Sequence, residues 1–462
     1  MYSMQSRYLL LLLLLASTCS LQAQTNFSID DAIDYANIES DALKINALDV
    51  QEASASIKEF KAIGLPKVDA NLNYQYNFIK NKSVIADFIS PAVYGVLFNE
   101  GVLAERDLGP PTTSEVTFVT NNFLSMGVEA SSVIFDGSYL VGLKAAKSYK
   151  ALIAKNENIT KQEIRTQVTK AYLSVLIVDE NLKILDKNLA NLAQVHKEAK
   201  AYYETGFVES IDVSRIELSQ ENISNERKKL LQLRELNLNV LKFQMNYVED
   251  DQITLTDDLE TIIERINIDD VDLLSEVNYN NRAEYEQLLS SQELNKLDLE
   301  RIEKGKYPSL VARAGLSGAL QRDNLFSGSE PGILPAAYGA LGLNLPIYDG
   351  NERSAQAQIR KITIEKADIE RQQFEKTVEL QVGNARARLV NARENIENAQ
   401  RTLAIIEDIY EKTNIKYREG VGSSVELTQA EAQLYQEQSK YINALYELIL
   451  AKTELDIAQG TL

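Results

Sequence analysis

The sequence reads VIFDG at residues 133–137 and PIYDG at residues 346–350, and each pentapeptide separates two kinds of pattern. Before it, apolar and polar residues alternate, which is typical of a β-strand with one apolar face. After it, apolar residues follow a helical period without interruption. A second tag, Tyr-x-x-Gly at 203–206, returns in the same order at 417–420. The chain is therefore predicted to contain two copies of one strand-to-helix unit.

Two very long helices are predicted, at 138–205 and 351–419, because residues 112–307 and 347–462 contain no proline and proline breaks helix interiors. The first would be about 100 Å long, so it needs lateral partners. Its apolar residues recur every seven positions, which predicts knobs-into-holes packing along seams. The seam residues are Val168, Val175, Leu182 and Leu189, and beside them Ala171, Val178, Leu185, Leu192 and Ala199. His196 continues the first row and is interpreted as a packed seam residue.

Shorter helices are predicted at 30–62, 208–247, 282–305 and 424–459. Two of them placed end to end match one long helix in length, which predicts a tube wall rather than a globule. The predicted organisation is a signal peptide (1–23), a first repeat (24–248, with the hairpin 66–136), an acidic segment (249–281) and a second repeat (282–462, with the hairpin 308–349).

Four strands are predicted, at 67–78, 123–135, 309–320 and 337–348. Each has about the 9–11 residues that a tilted strand needs to cross a bilayer. Four strands cannot close a barrel, and an open sheet edge in lipid leaves amide groups unsatisfied. Two chains would give eight strands with a filled interior, whereas three would give twelve strands and a passage. The pattern favours a trimeric barrel, and the alternative is a soluble sheet packed on helices.

The composition excludes several classes of function. The formal net charge is −19, which repels a polyphosphate, so no nucleic-acid partner is expected. One histidine and one cysteine, Cys19, leave no metal-ligand cluster and no catalytic triad. We therefore expect no enzyme activity, no metal and no cofactor, and an exported hydrolase is the least favoured class.

The N-terminus has the pattern of a secretory signal. Arg7 precedes the apolar run 9–15, and a polar stretch ending in small residues follows. The run is too short for a membrane-spanning helix, which needs about 20 residues. Cleavage is expected after Ala23. Cys19 leaves lipid attachment open, although the preceding residues 16–18 make a poor lipidation signal.

The segment 249–281 carries eleven acidic residues and one basic residue, Arg265. A short strand-like stretch, ITLT, lies at 253–256. The acidic residues lack the spacing of an EF-hand loop, so a solvated acidic face is predicted rather than a cation site.

The signal, the doubled hairpin-plus-long-helix unit and the turn Tyr-x-x-Gly-x(5)-Asp/Glu at 203–212 and 417–426 resemble the TolC family. The resemblance implies a mixed α/β membrane protein in which three chains form one twelve-stranded outer-membrane β-barrel and a periplasmic α-barrel. It implies a passive exit duct that an inner-membrane pump, of the RND type, drives through a periplasmic adaptor. The partly apolar first loop, 79–115, is similar to loops of Bacteroidetes-type members and is expected to fold over another part, such as the barrel mouth. The alternatives are a type I protein secretion duct and an exported coiled-coil scaffold without a pore.

The resemblance places the periplasmic entrance at the helix-to-helix turns, 206–213 and 420–429. Asp212 and Tyr417 match the residues that tie the closed tip in the family, and each also has a plain structural interpretation: Asp212 could only cap its helix, and Tyr417 could only fill a seam. Gly422 stands where the best-known member has a tying arginine. Glu426 and Gln429 stand where it has two constricting aspartates, so one charge per protomer is lost.

The same turns are the expected contact for the adaptor. The residues implied are Gly206, Phe207, Val208, Glu209 and Ser210 in the first turn and Gly420, Val421, Gly422, Ser423 and Ser424 in the second. The strand-to-helix junctions are Asp136 and Gly137 in the first repeat and Asp349 and Gly350 in the second.

Overall fold

The computed structural model describes residues 26–110, 112–247, 253–266, 276–326 and 332–461. The predicted signal with Cys19, and parts of the acidic segment, lie outside the described residues. The helices are α1 (Ile29–Glu39), α2 (Asp41–Ala62), α3 (Ile89–Asn99), α4 (Gly137–Glu204), α5 (Ser210–Gln244), α6 (Leu259–Ile266), α7 (Ala283–Lys304), α8 (Glu352–Arg418) and α9 (Ser424–Gln459). The strands are β1 (Asn26–Phe27), β2 (Lys67–Tyr76), β3 (Ser83–Ala86), β4 (Thr113–Val116), β5 (Asn122–Phe135), β6 (Thr254–Leu255), β7 (Ser309–Arg322) and β8 (Leu334–Asn344).

The chain divides into two compact units. The helical unit contains the residues up to 53, 148–293 and 364–462, and the sheet unit contains 54–147 and 294–363. Each sequence repeat contributes to both units. Among the described helices, none is both long enough and apolar enough to cross a membrane.

The larger sheet of the sheet unit is antiparallel and four-stranded, in the order β2-β5-β7-β8. Its register separates an apolar face from a polar one, as the alternation predicts. One row across the sheet is Ala70, Val128, Leu316 and Ala337, and the neighbouring row on the other face is Asp69, Glu129, Gly315 and Tyr338. Every residue of β2 and β8 is exposed. A soluble sheet packed on helices would bury one face, so that alternative is wrong.

The last strand lies earlier than predicted. The alternation suggested 337–348, but β8 runs from Leu334 to Asn344. Pro346 explains the end, because proline has no amide hydrogen to donate to a neighbouring strand. The predicted loop 79–115 has secondary structure of its own, since β3 pairs with β4 and α3 lies between them in the chain.

The helical unit is held by seams close to the predicted ones. Buried residues of α4 include Val168, Ala171, Val175, Val178, Leu182, Leu185, Leu192 and Ala199. The first row drifts after Leu182, so that Asn188 and Val195 are buried while Leu189 and His196 are only half-buried. The buried stripe of α4 therefore leaves the strict seven-residue row after Leu182. The placement of His196 in the seam was therefore wrong by one residue.

The predicted helix 30–62 is two helices. Ser40 takes an extended ψ of 122° and ends α1. Its hydroxyl oxygen then accepts a hydrogen bond from the Leu43 amide at 3.3 Å, as serine commonly does at a helix start. The Asn246 side chain donates to the Glu39 carbonyl at 2.8 Å, which satisfies one of the carbonyl groups left free at the end of α1.

The acidic segment contains a short parallel ladder that joins β6 to β1. Beside the ladder, the Asp257 side chain is only 3% exposed. It accepts hydrogen bonds from the Ile29 amide at 2.7 Å and the Tyr172 hydroxyl at 3.2 Å, and it pairs with Arg265 at 2.5 Å. The expectation of a wholly solvated acidic face is thus wrong at Asp257, which binds three parts of the helical unit together.

The first return helix is shorter than the predicted 208–247, because α5 runs from Ser210 to Gln244. At its start, Glu209 has an extended backbone, with φ −84° and ψ 157°. Beyond its end, Asn246 has a positive φ of 54°, which a helix cannot accommodate.

Candidate functional site

The two helix-to-helix turns share one backbone conformation. Gly206 has φ +84° and Gly420 has φ +75°, in the left-handed region that favours glycine. In the first turn the Phe207 amide donates to the Tyr202 carbonyl at 2.9 Å, and in the second the Val421 amide donates to the Lys416 carbonyl at 3.0 Å. Both are the six-residue closure typical of a helix that ends at glycine.

The return helices begin with different caps. In the first turn, the carboxylate of Asp212 accepts a hydrogen bond from the Glu209 amide at 3.2 Å. In the second, the Ser423 hydroxyl oxygen accepts one from the Glu426 amide at 3.2 Å. The two turns therefore solve the same problem, free amide groups at a helix start, with different side chains.

A direct bond joins the two turns. The Ser424 hydroxyl donates to Asp212 Oδ1 at 2.5 Å, and Ser424 is 1% exposed. Arg215 lies 3.9 Å from the same carboxylate oxygen. Asp212 therefore does more than cap its own helix, because it also holds the start of α9.

Tyr417 is 5% exposed and belongs to a small core at the turns, the tip cluster, formed by Leu192, Val195, Ala199, Ile216, Tyr417 and Leu427. Its hydroxyl has no hydrogen-bond partner among the described residues. Burial raises the pKa of Tyr417, and the negative charge of Asp212 adds to that rise. The structure thus places Tyr417 near Asp212 without the hydrogen bond that the family resemblance implies.

Gly422 packs too closely for any side chain. A Cβ atom at this position would lie 2.9 Å from the Tyr417 backbone nitrogen and 3.1 Å from the Lys416 carbonyl carbon. An arginine cannot stand at this position unless the backbone moves. Glu426 and Gln429 lie on the exposed side of α9, whereas Ser424, Leu427 and Ala430 face inward.

A groove of about 830 Å³ lies between the turns. It brings together many of the predicted contact residues, namely Gly206, Phe207, Val208, Glu209, Asp212, Tyr417, Gly420, Gly422, Ser423 and Ser424. Ser210, Val421, Glu426 and Gln429 do not line it. Sequence reasoning missed the lining residues Tyr202, Arg215, Arg418 and Glu419, whereas the lining residue Ile211 lies within the predicted turn 206–213. Arg215 and Arg418 could have been found, because they lie within a helical turn of Asp212 and Tyr417 respectively.

The strand-to-helix junctions are built from local hydrogen bonds. Asp136 Oδ1 accepts bonds from the backbone amides of Ser138 at 2.8 Å and Tyr139 at 3.0 Å, so it caps α4. At the second junction, the Arg353 amide donates to Asp349 at 3.4 Å and Gly350 has φ +66°. The repeated Asp-Gly pair therefore starts both long helices.

The profile of the outer membrane efflux protein family matches residues 32–240 and 302–461, most of the chain. The chain belongs to this family. Channels of the outer membrane efflux protein family are trimeric and work with a periplasmic adaptor and an inner-membrane pump. The protein is accordingly an outer-membrane exit duct of an efflux system, with a periplasmic helical tunnel. Its family and fold are those of channel proteins rather than enzymes.

Solved structures of membrane channels and outer membrane proteins share the fold. CusC aligns with a TM-score of 0.69 at 16% identity, over 95% of this chain and 93% of CusC. VceC from Vibrio cholerae gives 0.64 at 14% identity, over 94% of this chain and 96% of VceC. The CmeC outer membrane channel of Campylobacter jejuni gives 0.64 at 16% identity, over 94% of this chain and 85% of CmeC. Among curated proteins, no sequence matches.

Proposed function

We propose that the two turns form the periplasmic entrance of the duct and that the bond between Ser424 and Asp212 holds each protomer's pair of turns closed. The observation that carries this proposal is the 2.5 Å contact of the buried Ser424 hydroxyl with Asp212. A hydrogen bond to a charged group contributes about 1.5–3 kcal/mol. That is enough to shift the ratio of closed to open arrangements by at least about tenfold.

The adaptor would bind at the groove between the turns. Phe207 and Val421 stand out at the turns, 82% and 79% exposed, and Arg215 and Arg418 add charge to the groove wall. An adaptor that contacts both turns could separate them and break the bond between Ser424 and Asp212. The pump behind the adaptor would be of the RND type, an assignment that rests on the family resemblance of the chain.

The remaining surfaces have roles consistent with a duct. The apolar row Ala70, Val128, Leu316 and Ala337 would face outer-membrane lipid, while the polar row beside Asp69 would face the passage. Three copies of Glu426, exposed on α9, would favour cations at the entrance. In this organisation, each of the two sequence repeats supplies one hairpin, one long helix and one return helix.

The test is the resting conductance of purified trimers in planar bilayers. Ser424→Ala and Asp212→Ala should each raise the open fraction about tenfold or more, because each removes one partner of the bond between the turns. Ser214→Ala, an exposed serine in the same part of α5, is the matched control and should leave the conductance unchanged. Unchanged conductance in both Ser424→Ala and Asp212→Ala would show that this bond does not close the entrance.

A further inference from the structure

A buried carboxyl group lies two turns into α9 and takes no part in the bond between Ser424 and Asp212. Glu431 is 3% exposed, and its Oε2 atom has no hydrogen-bond partner among the described residues. Its helix neighbours Leu427, Ala430 and Leu434 are buried as well. An unpaired carboxylate is costly in such a place, because burial strips it of water without providing a compensating charge.

No cation of the described helices pairs with this carboxyl group, and Arg418, whose charge reaches Tyr410, pairs with Glu198. On α8, Tyr410 faces the carboxyl group, and its own pKa is raised by burial and then by the charge of Glu431. On α4, Asn188 donates to Gln438 of α9 at 3.3 Å. Helices α4 and α9 run antiparallel. Seven residues after Asn188 on α4 and seven before Gln438 on α9, the buried Val195 therefore lies level with Glu431, and the half-buried His196 follows Val195.

The other charged groups at this level point outward. On α5, Ile216 is buried and the adjacent Glu217 is exposed. On α4, Lys197 is exposed, while Glu198 pairs with Arg418. The remaining charged residues of α8 at this level, all exposed, are Glu407, Asp408, Glu411 and Lys412. The titratable groups that can face Glu431 are therefore Tyr410 and His196.

We propose that Glu431 is a proton-controlled lock on the entrance. With its carboxyl group protonated, α4, α5, α8 and α9 pack around it and hold the turns together. When the proton leaves, the carboxylate must gain water, and the helix ends loosen to admit it. This proposal rests on the proposed role of the turns as the entrance.

The direction of the pH effect follows from the burial. Burial raises the pKa of Glu431 from 4.5 to about 8, so the neutral form predominates in the packed state at neutral pH. In a loosened, hydrated state the pKa returns toward its ordinary value. The packed state is therefore fully favoured below about pH 4.5. The ratio of the packed to the loosened state falls by up to about tenfold per pH unit until about pH 8, and changes little above that.

The experiment combines conductance with distance measurements on the purified trimer. Cys19 is the only cysteine, so a Cys19→Ser background allows a single spin label at Val421 after Val421→Cys. Between pH 6 and pH 8, the label-to-label distances and the resting conductance should both increase, with a plateau above about pH 8. Glu431→Gln should abolish both changes and keep the turns closed. Glu431→Met, which has a similar length and no charge, should do the same and serves if the glutamine variant does not assemble.

Two controls identify the group. His196→Gln and Glu426→Gln should each keep the pH-dependent distances, because neither removes the buried carboxyl group. The proposal is overturned if the distances do not change with pH, or if they still change in Glu431→Gln and Glu431→Met. If the distances depend on Glu431 but the conductance does not, the lock exists and the turns are not the entrance, so the two proposals fail separately.

Discussion

The first turn (206–212) and the second turn (420–426) share the closure at their glycine and differ in the residues that follow it. Both reverse at a left-handed glycine and close with the same pair of amide-to-carbonyl bonds. The first carries Asp212, whose carboxylate caps α5 and also binds Ser424. The second is tightened at Gly422, where no side chain fits. The two repeats thus share the glycine closure. They differ in what stabilises each turn, which is the Asp212 side chain in the first and close backbone packing at Gly422 in the second.

The largest expected effect tests the tight packing of the second turn. Gly422→Ala places a Cβ atom 2.9 Å from the Tyr417 backbone nitrogen, so it should destabilise the helical unit by about 1–3 kcal/mol. At the matching position of the first turn, Val208→Ala should cost little, because a side chain is already accommodated. Thermal loss of helical circular dichroism measures both. Equal midpoints for the two variants would contradict the asymmetry.

The next effect tests the shared backbone. Gly206→Ala and Gly420→Ala should each destabilise by about 1–2 kcal/mol, the cost of a left-handed conformation for a residue with Cβ. Both positions have open space for a methyl group, so strain in the backbone is the only expected difference from the wild type. Unfolding midpoints of the two variants should agree within error, and a clear difference would mean that the turns are not conformationally equivalent.

The smallest effect concerns the tyrosine that the resemblance assigned to the closing tie. Tyr417→Phe removes a buried hydroxyl that has no partner among the described residues. Stability should stay the same or rise by up to about 1 kcal/mol, since no hydrogen bond is lost. Resting conductance should not change, which revises the role that the family resemblance implies. A rise in conductance comparable to that of Ser424→Ala would instead support the closing role that the family resemblance implies for Tyr417.

The sequence predicted those features that depend on local patterns. Alternation gave the faces of the sheet, because side chains of a strand point to opposite sides with a period of two. The Asp-Gly pairs gave the starts of both long helices, because caps act within three residues. The seven-residue repeat gave most of the buried row in α4, although the buried stripe leaves that row after Leu182 and so does not include His196.

Other features depend on neighbours that are distant in the sequence. The bond between Ser424 and Asp212 joins residues 212 positions apart, and no local signal distinguishes it from two ordinary helix caps. Glu431 lies between two alanines in a helix that also carries many polar residues, so the sequence alone does not show that it is buried. The break at Ser40 is stabilised partly by Asn246, which is also remote. Tertiary contacts, rather than propensity, determine each of these.

The unpaired outer edges of β2 and β8, seen throughout the described part of the sheet unit, have a kinetic consequence. The helical unit contains its own buried clusters, and such clusters form by encounters within a single chain. A barrel seam, by contrast, forms only when chains meet, so its rate depends on the concentration of monomer. Before the chains assemble, the two strand edges have no partner, and apolar side chains such as Leu72 and Leu341 are exposed. Such an edge can pair with an unrelated chain. A cell that makes this protein must therefore shield the sheet during its passage to the outer membrane.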